Sequence, residues 1–386
     1  MSATATISTA SNIAHVEPSE DILQVQPLPD RSFGARINLP SYTNDPSKLT
    51  DEDFERLFRA VHENLVVVIP EQAELPADSQ YELTKRFDPT CEGAYGHSKE
   101  FRHEKSVLRR DGHSVPSQPQ VQILGQGDHS GHVGVENLTL RHPTHMSFHN
   151  EPLSEEDMSN GYTRFYRWHI DSALYGLAPP VVTTLLGIDC PVGQRQKIRY
   201  EDTGEEIESD VAATAFVSGA DAFDNLTPEQ QEFALGTTVV YAPHPYIFIS
   251  QAKATSDGLT MVSEGRELPL DELPEWEESK IKRLPLVWTN PVTGRHHLQV
   301  HGCCIWRLES PEGVQELEQA RKTVHSLMRP NISPSSVYLH DWAQGDLVIF
   351  FNRGVWHSVT GQFAAEGHRL MHQCNIASGT DPVCRT

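Results

Sequence analysis

The chain has 386 residues, 38% of them hydrophobic and 22% charged, which is enough apolar material for a large core and unlike a disordered or fibrous composition. Its 31 lysines and arginines face 53 aspartates and glutamates, a formal charge of −22 that repels nucleic-acid phosphates and anionic membranes and argues against both as partners. No apolar stretch approaches the roughly 20 residues that cross a bilayer, and the six cysteines follow no metal or disulfide-framework spacing, which fits a reduced, cytoplasmic protein.

Residues 1–24 are polar and low in complexity and read as a disordered leader without a secretion signal, leaving 25–386 as one domain. Thr50 is placed to cap a helix in which Phe54, Leu57, Phe58 and Val61 fall at helical spacing, and the apolar run 65–69 follows as a buried strand. A second helix is expected over 79–87, ending before Asp88-Pro89. The stretch 126–160 has neither periodicity and reads as a long loop or lid inserted in the domain. Residues 181–188 are β-branched and apolar, as in a central strand, and 194–210 read as a polar hairpin.

Thr227-Pro228-Glu229-Gln230 starts a helix that Gly236 can end, and a strand is expected at 237–241. Segments 284–288 and 296–301 flank turn residues and suggest a hairpin. Ser310-Pro311 is expected to open a helix carrying Val314, Leu317, Val324 and Leu327. Gly345 precedes a strand at 346–351. Short strands with helices set among them predict a mainly β protein with flanking helices, built as a double-sheet jelly roll.

The chemistry concentrates in His169-Ile170-Asp171, His357 and Arg369. On an extended strand, residues two apart project to the same side, so His169 and Asp171 can share one ligand. A second imidazole from His357 would complete a two-histidine, one-carboxylate set that leaves ferrous iron three open positions, as in non-heme oxygenases. Zinc accepts the same donors, so spacing alone leaves the metal open. Arg369 is the kind of cation that the far end of a dicarboxylate requires.

With these residues the chain resembles the taurine dioxygenase-like Fe(II)/2-oxoglutarate dioxygenases from about Leu65 to Ile376. The resemblance implies a double-stranded β-helix core, iron held by His169, Asp171 and His357, and 2-oxoglutarate and dioxygen as co-substrates. It also implies that Arg369 and Thr214 hold the distal carboxylate of 2-oxoglutarate and that Trp342 lines its pocket. Lys197 is the alternative to Thr214 if the preceding hairpin shifts the correspondence.

One departure bears on the substrate. Four residues after the co-substrate arginine, sulfonate-using members carry a second arginine, whereas this chain has Gln373. An amide offers donors and an acceptor without a charge, so Gln373-Cys374-Asn375 suits a neutral planar heterocycle better than an oxyanion. The chain is similar in this to the fungal xanthine dioxygenase branch, with which the 126–160 insertion also agrees; Glu156 and Asp157 within it could accept from purine N–H groups. The implied reaction converts xanthine to uric acid with release of succinate and carbon dioxide. A sulfonate or aryloxyacetate dioxygenase, or a jelly roll that binds metal or 2-oxoglutarate without turnover, are the alternatives.

Overall fold

The computed structural model describes residues 21–94, 103–108, 112–191, 193–262, 265–363 and 367–385. Most of the expected leader lies outside these residues. At its end Leu23 is buried, and its backbone N–H donates to Asp53 Oδ1 at 3.0 Å.

Two sheets place the residues of interest. In chain order their strands are β1 (Gln24–Pro27), β2 (Ala35–Asn38), β3 (Val66–Ile69), β4 (His113–Val115), β5 (Gln118–Asp128), β6 (Val182–Asp189), β7 (Thr214–Ser218), β8 (Tyr338–His340), β9 (Leu347–Phe351), β10 (Val355–Val359) and β11 (Arg369–Asn375). The larger sheet runs β1-β2-β3-β9-β6-β11-β5-β4, and the smaller β8-β7-β10. Strands β3 and β9 are buried at every position, which their unbroken Val, Ile, Leu and Phe runs require of strands covered on both faces.

The helix α1 (Asp51–Asn64) is capped by Thr50, whose hydroxyl accepts from the Asp53 N–H, and it buries Leu57, Ala60 and Val61 in the same cluster as β3 and β9. The helix α2 (Ala77–Arg86) starts two residues before the sequence expectation and lies along β5, β6 and β11. From the smaller sheet, Phe216 packs against Phe350 of β9 with ring centroids 5.2 Å apart. The helix α3 (Pro228–Gly236) shows the expected capping box between Thr227 and Gln230. Among the described residues no helix is long and apolar enough to cross a membrane.

Three sequence expectations are corrected. Ser310-Pro311 does not start a helix: Ser310 pairs with Gly313 across a tight turn between the strands Ile305–Ser310 and Gly313–Gln315, and Val314 is exposed. Proline followed two residues later by glycine suits a β-turn, and the helix α4 (Leu317–Met328) begins after Glu316 instead. The expected strand at 284–288 is split, because Arg283–Pro285 pairs with Thr238–Tyr241 while Val287–Thr289 pairs with His296–Leu298. In the 126–160 stretch, Gln126–Asp128 belong to β5. Beyond them the regular elements are the two-residue strand Thr139–Leu140, which pairs back on β5, a 3-10 turn and two short helices.

The β5–β11 register is set by a glycine. Arg369 lies opposite Gln126, and a Cβ on the neighbouring Gly125 would come within 1.8 Å of the Arg369 carbonyl oxygen. Gly125→Ala is therefore expected to force these strands apart at a cost of about 1–3 kcal/mol, seen as a lower thermal midpoint. An unchanged midpoint would show that the strand pair gives way freely.

Candidate metal centre

The chain passes the smaller sheet in extended form, with single antiparallel bridges at Phe165–Thr360 and His169–His357. Alternation then sorts the side chains: Trp168 and Ile170 enter the main apolar core, while His169 and Asp171 turn the other way. His357 arrives from β10, where it pairs with Phe216 of β7. His169 N–H donates to the His357 carbonyl and His357 N–H to that of His169, both at 2.9 Å.

Asp171 Oδ1 lies 3.8 Å from His169 Nε2 and 3.7 Å from His357 Nε2, and one ligand atom from each of the three falls within 4.8 Å of the others. These separations are longer than hydrogen bonds, so three potential ligand atoms converge without bonding one another. A divalent cation resolves that arrangement, and the donor set fits iron or zinc. The His169 Nδ1–H donates to the Arg167 carbonyl at 2.9 Å, which leaves Nε2 with its lone pair facing Asp171. Burial holds His169 well below the usual imidazole range, with His357 and Arg167 adding to the effect, and lowers His357 to about 3. Both rings are thus neutral and ready to ligate near pH 7.

The carboxylate is fixed from behind. Thr183 Oγ1 donates to Asp171 Oδ2 at 2.7 Å and Gln373 Nε2 does so at 3.3 Å. Asn352 clamps the backbone of the same residue: its Oδ1 accepts from the Asp171 N–H, and its Nδ2 donates to the carbonyls of Asp171 and Pro180. Neither Thr183 nor Asn352 was singled out from the sequence. Thr183 is indistinguishable there from an ordinary strand threonine, and Asn352 carries only the weak signal of a polar residue ending an apolar strand.

Arg369, the first residue of β11, is buried, and its Nε has no partner. Burial lowers it to about 10, so it stays charged. Its Nη1 reaches only His142 Nδ1, at 3.5 Å, and a buried guanidinium with no carboxylate beside it fits an incoming one. Trp342 Nε1 donates to Thr214 Oγ1 at 3.0 Å. A Cβ built on Gly187 would meet both the Cys190 thiol and the Trp342 ring, and that thiol lies within electrostatic reach of Arg369. Lys197 does not take the place of Thr214; it is half-exposed beside Glu208.

Gln373 reaches the centre, and Asn375, two residues on, is fully buried with both amide atoms unpartnered. Cys374 does not join them. It packs with Val121, Ile123 and Leu370 on the opposite face of β11, where burial pushes its thiol up to about 12. Glu156 and Asp157 are also not brought to the triad. Glu156 is exposed, and Asp157 accepts from Ser154 and from Arg199 at 3.0 Å, because the serine caps the short helix Glu155–Ser159 and holds the acidic residues in its first turn.

The chain belongs to the taurine catabolism dioxygenase TauD, TfdA family, whose profile matches residues 24–375. It is similar to the alpha-ketoglutarate-dependent xanthine dioxygenase of Emericella nidulans, 48% identical over 342 residues that cover 88% of this chain and 92% of the relative. It is also similar to that of Schizosaccharomyces pombe, 44% identical over 376 residues covering 94% and 90%. Among solved structures, a taurine dioxygenase from Burkholderia xenovorans shares the fold at a TM-score of 0.55 and 16% identity, with 94% of this chain and 93% of that one covered.

Two variants separate ligand from scaffold. His169→Ala is expected to abolish metal binding and turnover with little change in the thermal midpoint; near-normal activity would reject its assignment. Asn352→Ala leaves the buried N–H and C=O of Asp171 unsatisfied at about 1–3 kcal/mol each, so it should lower the midpoint as well as the metal content. A wild-type melting profile would show that Asn352 is not holding the loop.

Proposed function

We propose that this protein is an Fe(II)- and 2-oxoglutarate-dependent dioxygenase that hydroxylates xanthine to uric acid. The observation that carries this reading is the converging His169–Asp171–His357 group in a chain 44–48% identical to named xanthine dioxygenases over most of its length. His169, Asp171 and His357 would hold the iron. Iron with 2-oxoglutarate supplies the oxidising power: one atom of dioxygen enters the substrate and the other enters succinate as carbon dioxide leaves.

The protein's part is placement. Arg369, with Thr214 and Trp342, holds the far carboxylate of 2-oxoglutarate, so its keto acid end is delivered to the metal in one orientation. Gln373 keeps one amide hydrogen on Asp171, and Asn375 offers both amide groups. These amides suit the alternating N–H and C=O groups of a purine, and a buried amide left unpaired disfavours analogues that lack the matching group. Aiming carbon 8 of the ring at the iron is the remaining requirement.

The two sheets are read as a jelly roll, since β6 and β7, and again β9 and β10, are successive strands of this frame that lie in different sheets. All six cysteines are free thiols, which supports a reducing, cytoplasmic setting.

Succinate release should be stimulated by xanthine, with uric acid formed in equal amount, and not by taurine or aryloxyacetates; stimulation by a sulfonate alone would end the proposal. Gln373→Arg should raise the KM for xanthine at least tenfold while leaving the 2-oxoglutarate requirement unchanged. Unaltered xanthine kinetics would show that Gln373 does not face the substrate.

A further inference from the structure

Two residues before the first metal ligand, Arg167 lies on the extended segment that the Phe165 and His169 bridges define. The alternation that pairs His169 with Asp171 starts Arg167 on their side of the segment. The residue is 5% exposed, and Nε and Nη1 have no hydrogen-bond partner. The rings of Tyr246, Tyr166 and Phe148 surround it, 5.1, 5.6 and 5.8 Å from the guanidinium carbon. The positive charge is felt at His169, His301 and His357, so it lies beside the centre rather than elsewhere in the core.

Aromatic faces offset part of the cost of burying a cation, but they accept none of its in-plane N–H groups. Other buried arginines show what is missing. Arg321 has Glu267 at 2.7 Å, and Arg164 donates to Glu201 and the Glu151 carbonyl. Among the described residues, no carboxylate forms an ion pair with Arg167 or with Arg369. One dicarboxylate co-substrate, anchored at its keto acid end by the metal, satisfies one of these two guanidinium groups. The other still needs an acceptor, and the remaining visitor to the site is the substrate.

We propose that Arg167 is a specificity-determining residue whose guanidinium donates to the oxygen-bearing edge of a dioxopurine, to a ring carbonyl and an adjacent unprotonated ring nitrogen. A planar fork meeting two neighbouring acceptors on a purine edge is a favourable pairing in general. The charge would also favour a ring that carries negative charge when bound, which dioxopurines attain more readily than mono-oxopurines. Gln373 and Asn375 then read the neutral groups, and Arg167 supplies the cation that the Gln373 position lacks. This inference rests on the xanthine reading above.

The test is anaerobic binding of xanthine to the protein loaded with ferrous iron and 2-oxoglutarate, followed by calorimetry, with 2-oxoglutarate affinity and thermal midpoint measured beside it. Arg167→Gln should weaken xanthine binding roughly 30-fold or more, as expected for losing one side of a buried charged hydrogen bond, with 2-oxoglutarate affinity within about threefold of wild type. Arg167→Lys returns the charge without the fork and should recover only part of the loss. Wild-type xanthine affinity in a folded Arg167→Gln protein would overturn the inference and leave a purely structural, ring-caged cation. Loss of 2-oxoglutarate affinity alongside would also overturn it, assigning the guanidinium to the co-substrate. Should the glutamine variant fail to fold, the lysine variant decides alone, with about tenfold weaker xanthine binding expected and unchanged binding overturning the claim. Failure of the wild-type protein to bind xanthine is a separate result, which overturns the function and the inference together.

Discussion

The centre depends on one reciprocal pair of backbone hydrogen bonds, between His169 and His357, each 2.9 Å long. Two segments far apart in sequence become neighbours through it, and their rings come to rest with centroids 4.1 Å apart. Everything else secures that meeting. On one side β10 is paired with β7, which is itself paired with β8; on the other, Asn352 and Thr183 hold Asp171 against the end of β9 and the start of β6. The three candidate ligands are therefore carried by sheet and clamp rather than by a free loop, as a site needs when its donors must stand within a fraction of an ångström of place.

Burial has opposite consequences for the different charges here. It strips the histidines of their protons, which prepares them to ligate, but it cannot discharge the arginines at ordinary pH. Arg369 and Arg167 are left as cations with unused N–H groups in a low-dielectric region. Such groups are expensive in an empty site and become favourable when an anion or a carbonyl-rich ring enters. The same imbalance that lowers stability without ligand thus raises selectivity for a ligand that supplies the missing acceptors.

Much of this was legible in the residues. The caps at Thr50 and Thr227, the apolar runs that became β3, β6 and β9, and the His-x-Asp spacing all follow from local rules that tertiary contacts did not override. Other features needed the fold. Ser310-Pro311 satisfies the rules for both a helix start and a turn, and the pairing of Ser310 with Gly313 decides between them. Cys374 was recoverable in principle, since a strand that aims Arg369 and Gln373 one way must aim the residue between Gln373 and Asn375 the other way. Ser154-Glu155-Glu156-Asp157 carried a capping signature that accounts for its acidic residues without any ligand. Asn352 and the stranded charge of Arg167 could be recognised only once their surroundings were known.

The most direct test of the central claim is an anaerobic titration of the protein with ferrous iron and 2-oxoglutarate, followed in the visible spectrum. A three-residue facial centre with a chelated keto acid should give a weak charge-transfer band that saturates at one iron per chain and needs both components. Absence of the band at saturating iron and 2-oxoglutarate, in protein that is otherwise folded, would contradict the account.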